Sequence, residues 1–147
     1  MPRKSAIKKA RVDRRKGKAP STQAGEFVHE EMEHVREGKQ GARSTKQAIA
    51  IGLSKARRAG VRLRAPRKGP ASARTRSFAR HALARGRKHA RTSQTRSRAI
   101  SKALRREGHR AASHRALSRQ AHSASRRRSA AARSRSARKA AQTRKHK

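Results

Sequence analysis

The distribution of carboxylates along the chain constrains its fold more than any other feature. Five of the seven acidic residues fall between Glu26 and Glu37, and only Glu107 follows them. The chain carries 45 Lys and Arg, so its formal net charge is +38. A chain of this charge repels itself when compact and associates with polyanions. The short acidic stretch is therefore where the sequence predicts a packed fold.

Composition excludes several classes of protein. Only Phe27 and Phe78 are aromatic, and low hydrophobicity with high net charge is typical of disorder. The chain has no cysteine, which excludes disulfides, thiolate zinc sites and cysteine nucleophiles. No stretch approaches the roughly 20 apolar residues of a membrane helix, and no signal peptide is evident. We expect a soluble, cytoplasmic protein.

Four regions are predicted from the composition along the chain. Residues 1–19 form a solvated basic arm, and residues 20–62 hold most of the large apolar side chains. Residues 63–73 form a linker in which Pro66, Gly69 and Pro70 interrupt helix. Residues 74–147 form a polycationic tail. The predicted fold is small and all-α: a helical hairpin followed by a largely disordered tail.

The hairpin is predicted from two helix signatures. The first helix starts after Pro20, with Ser21 or Thr22 as its cap, and ends at Gly38, with its glutamates on the faces beside an apolar stripe. The second starts at a Ser44 capping box and ends at Gly60. The predicted hairpin core consists of Phe27, Val28, Met32, Val35, Ile49 and Leu53.

The predicted hairpin leaves two architectures open. A unit of about 40 residues is near the limit of independent stability, so we expect marginal stability or a homodimer through the apolar stripe. Two helices joined by a glycine turn also fit a helix-turn-helix, with the second helix in the major groove. The packing hairpin is favoured, because the second helix offers few side chains for reading base edges.

The tail is predicted to bind phosphate. From Ala65 onward there are 27 Lys or Arg and one Glu, with five large apolar residues, too few to offset the entropy of ordering. Helices over 98–107 and 114–124 are expected to form on binding. Fully paired, the tail would neutralise about 26 phosphates, or ~44 Å of duplex.

Arginine predominates over lysine by 31 to 14, and the guanidinium grips phosphate in a bidentate manner. The scarcity of aromatic stacking residues favours duplex DNA over RNA. The predicted nucleic-acid-binding residues are Arg57, Arg58, Arg67, Lys68, Arg85, Arg87, Lys88, Arg105, Arg106, Arg126, Arg127, Arg128, Arg138 and Lys139.

Two tail motifs have alternative interpretations. Arg85-Gly86-Arg87-Lys88 fits either a minor-groove hook or a flexible joint, and the joint is favoured because no proline follows. The Ser-Arg dipeptides, such as those at Ser97 and Ser118, fit either phosphorylation sites or polar spacers, and the spacer is favoured.

One block of the sequence carries a family resemblance. The run from Gly41 to Val61, Gly-Ala-Arg-Ser-Thr-Lys-Gln-Ala-Ile-Ala-Ile-Gly-Leu-Ser-Lys-Ala-Arg-Arg-Ala-Gly-Val, resembles a family of small basic bacterial proteins with a domain of unknown function. The similarity covers roughly residues 8–64, with looser matches at Ala103–Gly108 and Ala116–Ala121. It implies a bacterial, histone-like protein and supplies no catalytic residues.

No enzyme, metal or cofactor is expected. His29 and His34, like His109 and His114, are five positions apart, whereas ligands on one helix face are four apart. The glutamates lack a nucleophile or pocket. We expect them to hold the second helix or to clamp the chain's own tail.

The sequence as a whole predicts a nucleoid-associated protein, similar to a linker histone, that binds and compacts DNA without sequence specificity. The alternative is a ribosome- or RNA-associated basic protein. A membrane-active peptide is ranked last, because the tail lacks amphipathic faces with large apolar residues.

Overall fold

The computed structural model describes residues 4–69, 71–88 and 93–145. Arg3 of the predicted arm and Pro70 of the predicted linker lie outside them. The described chain is helical: α1 (Lys4–Arg15), α2 (Pro20–Arg36), α3 (Thr45–Arg58), α4 (Ala73–Arg87), α5 (Gln94–Arg105), a 3₁₀ helix (Arg110–Ala112), α6 (His114–Arg126) and α7 (Ala130–Lys145). It divides into an N-terminal unit, Met1–Ser113, and a C-terminal unit, His114–Lys147.

The prediction of a largely disordered tail is wrong. Beyond the linker the chain forms α4, α5, α6 and α7. Two physical effects account for the difference. Alanine and arginine favour helix, and small side chains provide packing that a count of large apolar residues misses. In α4, Ala79, Ala82 and Gly86 are buried.

The hairpin forms as predicted, and the first residues of the chain join it. α2 packs against α3 and α1, and α4 packs against the other side of α3. Residues 4–15 are therefore not part of a solvated arm, because they form α1, whose Ala6 and Ala10 are buried in the same cluster as Phe27. Of the stripe of α2, Ala24 and Phe27 belong to this cluster, and the homodimer stays a prediction.

The predicted helix signals of α3 are confirmed. Ser44 Oγ accepts the backbone N–H of Gln47 at 3.2 Å. At the other end, Gly60 has φ 94°, and the N–H of Val61 donates to the carbonyl of Ala56 at 3.1 Å. This is a Schellman stop with its hydrophobic contact, because both Val61 and Ala56 are buried.

The start of α2 differs from the prediction. Ala19 occupies the cap position without a side-chain hydrogen bond, and Pro20 is the first helical residue. Proline suits this position because it has no N–H to satisfy and its φ is already helical. Neither Ser21 nor Thr22 is the cap.

The hairpin core differs from the prediction on α3. Phe27, Met32 and Val35 are buried, whereas Val28, Ile49 and Leu53 are only partly buried. The face of α3 that is buried instead consists of Thr45, Ala48, Gly52, Lys55, Ala56 and Arg57. A Cβ on Gly52 would lie 2.7 Å from the Cα of Val28, so the two helices approach through the glycine rather than through large side chains.

Two of the glutamates that were expected to hold the second helix contact it through a buried side chain of α3. Glu31 is 0% exposed and Glu30 is 3% exposed. Lys55 of α3 lies 2.6 Å from Glu31 Oε2 and 3.9 Å from Glu30 Oε1, and the amide of Gln40 donates to Glu31. A buried ion cluster therefore links α2 to α3.

The segment after α5 docks onto the hairpin turn. The N–H of Gly41 donates to the carbonyl of Leu104 at 2.8 Å, and Thr45 Oγ1 donates to the carbonyl of Ala111 at 2.7 Å. The compact N-terminal unit thus extends to Ser113, well beyond the predicted linker at residues 63–73.

The C-terminal unit has a different character. Its helices α6 and α7 contain no buried side chain among the residues that the structure describes. The unit carries 12 Lys or Arg and no acidic residue. Its helices depend on the local propensity of alanine and arginine rather than on a core.

Candidate nucleic-acid interface

A groove of about 920 Å³ lies in the N-terminal unit, where α1, the end of α3 and the end of α4 meet. We call it the arginine groove, because six of its lining residues are arginines and none of the lining residues is acidic. These are Arg11, Arg14, Arg57, Arg62, Arg64 and Arg87.

Local sequence places these arginines around one opening. In α1, Ala6 and Ala10 pack inward, which leaves Arg11 and Arg14 exposed at the rim. The turn at Gly60 then reverses the chain beyond α3, so that the following arginines return past the end of that helix. The groove is therefore built from residues far apart in the sequence.

Gly86 brings α4 into the groove wall. A Cβ at this position would overlap the carbonyl oxygen of Arg57, so only glycine permits this approach of α4 to α3. Arg85-Gly86-Arg87 forms the last turn of α4. It is thus neither the minor-groove hook nor the flexible joint that the sequence suggested, and its rigid placement directs Arg87 toward the groove.

Arg57 holds the far wall in place. Its side chain is 7% exposed and donates from Nε to the carbonyl of Leu63 at 3.1 Å and from Nη2 to that of Arg64 at 3.3 Å. Burial lowers the pKa of Arg57, because desolvation disfavours the charged form. Among the described residues, no carboxylate forms an ion pair with this guanidinium.

Arg58 lies beside another cation. Burial lowers the pKa of Arg58, and the positive charge of Arg85 lowers it further. Like charges held close together disfavour one another's charged form, and this adds to the effect of desolvation.

The floor of the groove is apolar. Ile7, Phe27, Val61 and Leu83 contribute to its lining. Charges that border an apolar floor are screened less than charges in bulk water. Guanidinium groups in this setting bind phosphate oxygens through short, charge-assisted and often bidentate hydrogen bonds.

The structure brings together some of the predicted binding residues and separates others. Arg57 and Arg87 line the groove, and Arg58 and Arg85 adjoin each other. On α6, Arg126 and Arg127 share a surface with Arg119. The remaining predicted residues are exposed and line neither of these two surfaces: Arg67, Lys68, Lys88, Arg105, Arg106, Arg128, Arg138 and Lys139.

Four groove arginines were missed by the sequence reasoning: Arg11, Arg14, Arg62 and Arg64. The first two had a detectable signal, because Ala6, Ile7 and Ala10 recur at helical spacing and predict a helix with one packed face. The other two had none, since their position depends on how the chain returns after Gly60.

Two kinds of site are absent from the described parts of the chain. No group of three or more His, Asp or Glu side chains there could hold a metal ion. No described helix is long and apolar enough to cross a membrane.

Comparisons of the chain with family models, curated proteins and solved structures find no match.

Proposed function

We propose that this protein binds the phosphate backbone of duplex DNA without sequence specificity and compacts it. The arginine groove carries the proposal: six arginines line it, five of them exposed, and no acidic side chain lines the opening. Contacts to phosphates position a protein on a duplex and carry no sequence information. The class we propose is a nucleoid-associated, histone-like protein of a bacterial cytoplasm.

The charge of the two units supports compaction. The N-terminal unit carries 33 Lys or Arg against seven acidic residues, and the C-terminal unit carries 12 against none. Each unit is therefore a polycation in its own right. A chain with two cationic units neutralises more than one stretch of duplex, and neutralised duplexes approach one another more closely.

The packing of α3 argues against sequence reading by a helix-turn-helix. α2, α4 and the 3₁₀ helix all pack against α3. Its exposed residues are Lys46, Ala50 and Arg58, which offer two cations and no amide to base edges. A recognition helix would need an open face, so we propose backbone binding.

The test is substitution at the groove rim. Arg11, Arg14 and Arg87 are exposed and line the groove, so their replacement by glutamine changes charge without removing buried groups. We expect weaker binding to two unrelated duplexes alike, and a slope of log K against log salt smaller by about three, as for three lost phosphate contacts. Fluorescence anisotropy measures both quantities, and light scattering with long DNA measures compaction.

The matched control changes the same charge elsewhere in the N-terminal unit. Arg80, Arg98 and Arg110 are exposed and lie outside the groove lining, so their triple replacement by glutamine should change affinity less. Equal loss in the two triple variants would reject the groove as the site. Displacement of DNA by structured RNA at equal nucleotide concentration would reject DNA as the target.

A further inference from the structure

Phe78 is the most exposed large apolar side chain that the structure describes. It lies on α4 and is 62% exposed, while its neighbour Ala79 is buried against the rest of the unit. Exposing a phenylalanine forgoes the free energy of burying it. The other phenylalanine, Phe27, is buried in the core. The fold can therefore bury a phenylalanine, and it leaves Phe78 on the surface.

Cations share the helix face of Phe78. Residues four or seven apart on a helix lie on one side, which places Arg74 and Arg85 in line with the ring. The guanidinium carbon of Arg74 lies 5.6 Å from the ring centroid, in cation–π range. No acidic residue occurs in α4.

We propose that Phe78 stacks on an unpaired or unstacked nucleobase while the cations of the same face hold the neighbouring phosphates. The inference rests on the proposed function and adds a substrate preference: DNA with unpaired or distorted base steps over fully paired DNA. Aromatic side chains stack on bases irrespective of sequence, and apolar side chains inserted between base steps are a common means of bending a duplex.

The surroundings of the ring favour a nucleobase over a protein partner. The core of a protein interface needs a cluster of apolar anchors. Two other large apolar side chains are exposed among the described residues, Val12 and Ile100. They belong to α1 and α5, so neither shares the face of α4 that carries Phe78. A single ring flanked by cations matches the alternation of base and phosphate in a nucleic-acid strand.

The experiment compares two ligands: a fully paired duplex, and the same duplex with an unpaired bubble containing 2-aminopurine. We expect the full chain to bind the bubble at least about fivefold more tightly, the factor equivalent to ~1 kcal/mol of stacking. Phe78→Ala should abolish that preference and the associated 2-aminopurine fluorescence change, while affinity for the paired duplex stays the same. Phe78→Trp should retain the preference.

Ile100→Ala is the matched control, because Ile100 is 52% exposed on α5 and its loss should leave the preference intact. A bubble preference that survives Phe78→Ala would overturn the stacking role. A change in sedimentation of Phe78→Ala, without a change in preference, would instead assign the ring to a second copy of the chain. If the full chain shows no salt-dependent binding to either ligand, the proposed function fails as well.

Discussion

At the level of single residues, Lys55 is a buried cation that links two helices. Its ammonium group is buried and lies between Glu31 and Glu30. A buried charge of this kind is costly to desolvate, and the cost is offset only while both partners remain. The pair therefore makes the association of α2 with α3 specific, because a shift of either helix would leave a charge buried without its partner.

Replacing Lys55 by methionine tests this role. Glu31, at 0% exposure, would then be buried without its ammonium partner, and we expect a loss of about 3–5 kcal/mol in the free energy of unfolding. Replacing Lys55 and Glu31 together by methionine should recover most of that loss. Urea denaturation followed by circular dichroism measures both.

The control is Lys39→Ala, which removes the exposed pair of Lys39 with Glu37 and should cost less than ~1 kcal/mol. Equal losses in the free energy of unfolding for Lys55→Met and Lys39→Ala would mean that the buried cluster stabilises the fold no more than an exposed ion pair does.

At the level of helices, glycine sets how closely the elements approach. Gly52 lets α3 meet the backbone of α2, and Gly86 lets α4 meet the backbone of α3. The chain has few large apolar residues. Its helices are instead stabilised by dispersion attraction between closely spaced backbone atoms and alanine side chains. The contact at Gly86 also sets Arg87 of α4 beside Arg57 of α3.

Gly52→Ala and Gly25→Ala should have opposite effects on stability. At Gly52 the added Cβ would lie 2.7 Å from the Cα of Val28, and overpacking of this kind costs about 1–3 kcal/mol. Gly25 lies in α2 with nothing within 4 Å of an added Cβ, so alanine there should stabilise by about 0.5–1 kcal/mol through helix propensity. Thermal unfolding measures both changes, and destabilisation by Gly25→Ala would contradict the packing described for α2.

The helices of the hairpin could be predicted because their signals are local. The Ser44 cap and the Gly60 stop depend on residues within one turn, and the structure reproduces both. The order of the tail was underestimated. Small residues such as Ala79 are buried in α4, whereas α6 and α7 form helix from local propensity, with no buried side chain among the described residues. Counting large apolar residues ignores both contributions.

Two of the six arginines of the groove were predicted from the sequence. Arg57 and Arg87 were predicted from their basic runs, yet nothing local shows that Gly86 brings α4 against the end of α3. The buried position of Lys55 had a signal that the reasoning passed over: it lies three residues after Gly52, on the face of α3 that packs against α2.

At the level of the whole molecule, the two units are both cationic but differ in packing. The N-terminal unit contains every described residue that is buried, and also the arginine groove. The C-terminal unit, with no acidic residue and no buried side chain among those described, offers two cationic helices. A folded site and a coreless polycation on one chain are suited to phosphate binding over an extended length of nucleic acid.

The central claim is tested most directly by a salt titration of the full chain against two duplexes of unrelated sequence, with structured RNA as competitor. Arg57 is buried and bonded to two backbone carbonyls, so five groove arginines remain exposed. Bound to phosphates, these five alone give a slope of log K against log salt of about −4.5. We predict a slope at least that steep, equal for both duplexes, with DNA retained in the presence of RNA. A shallow slope, a large difference between the two sequences, or displacement by RNA would contradict the account.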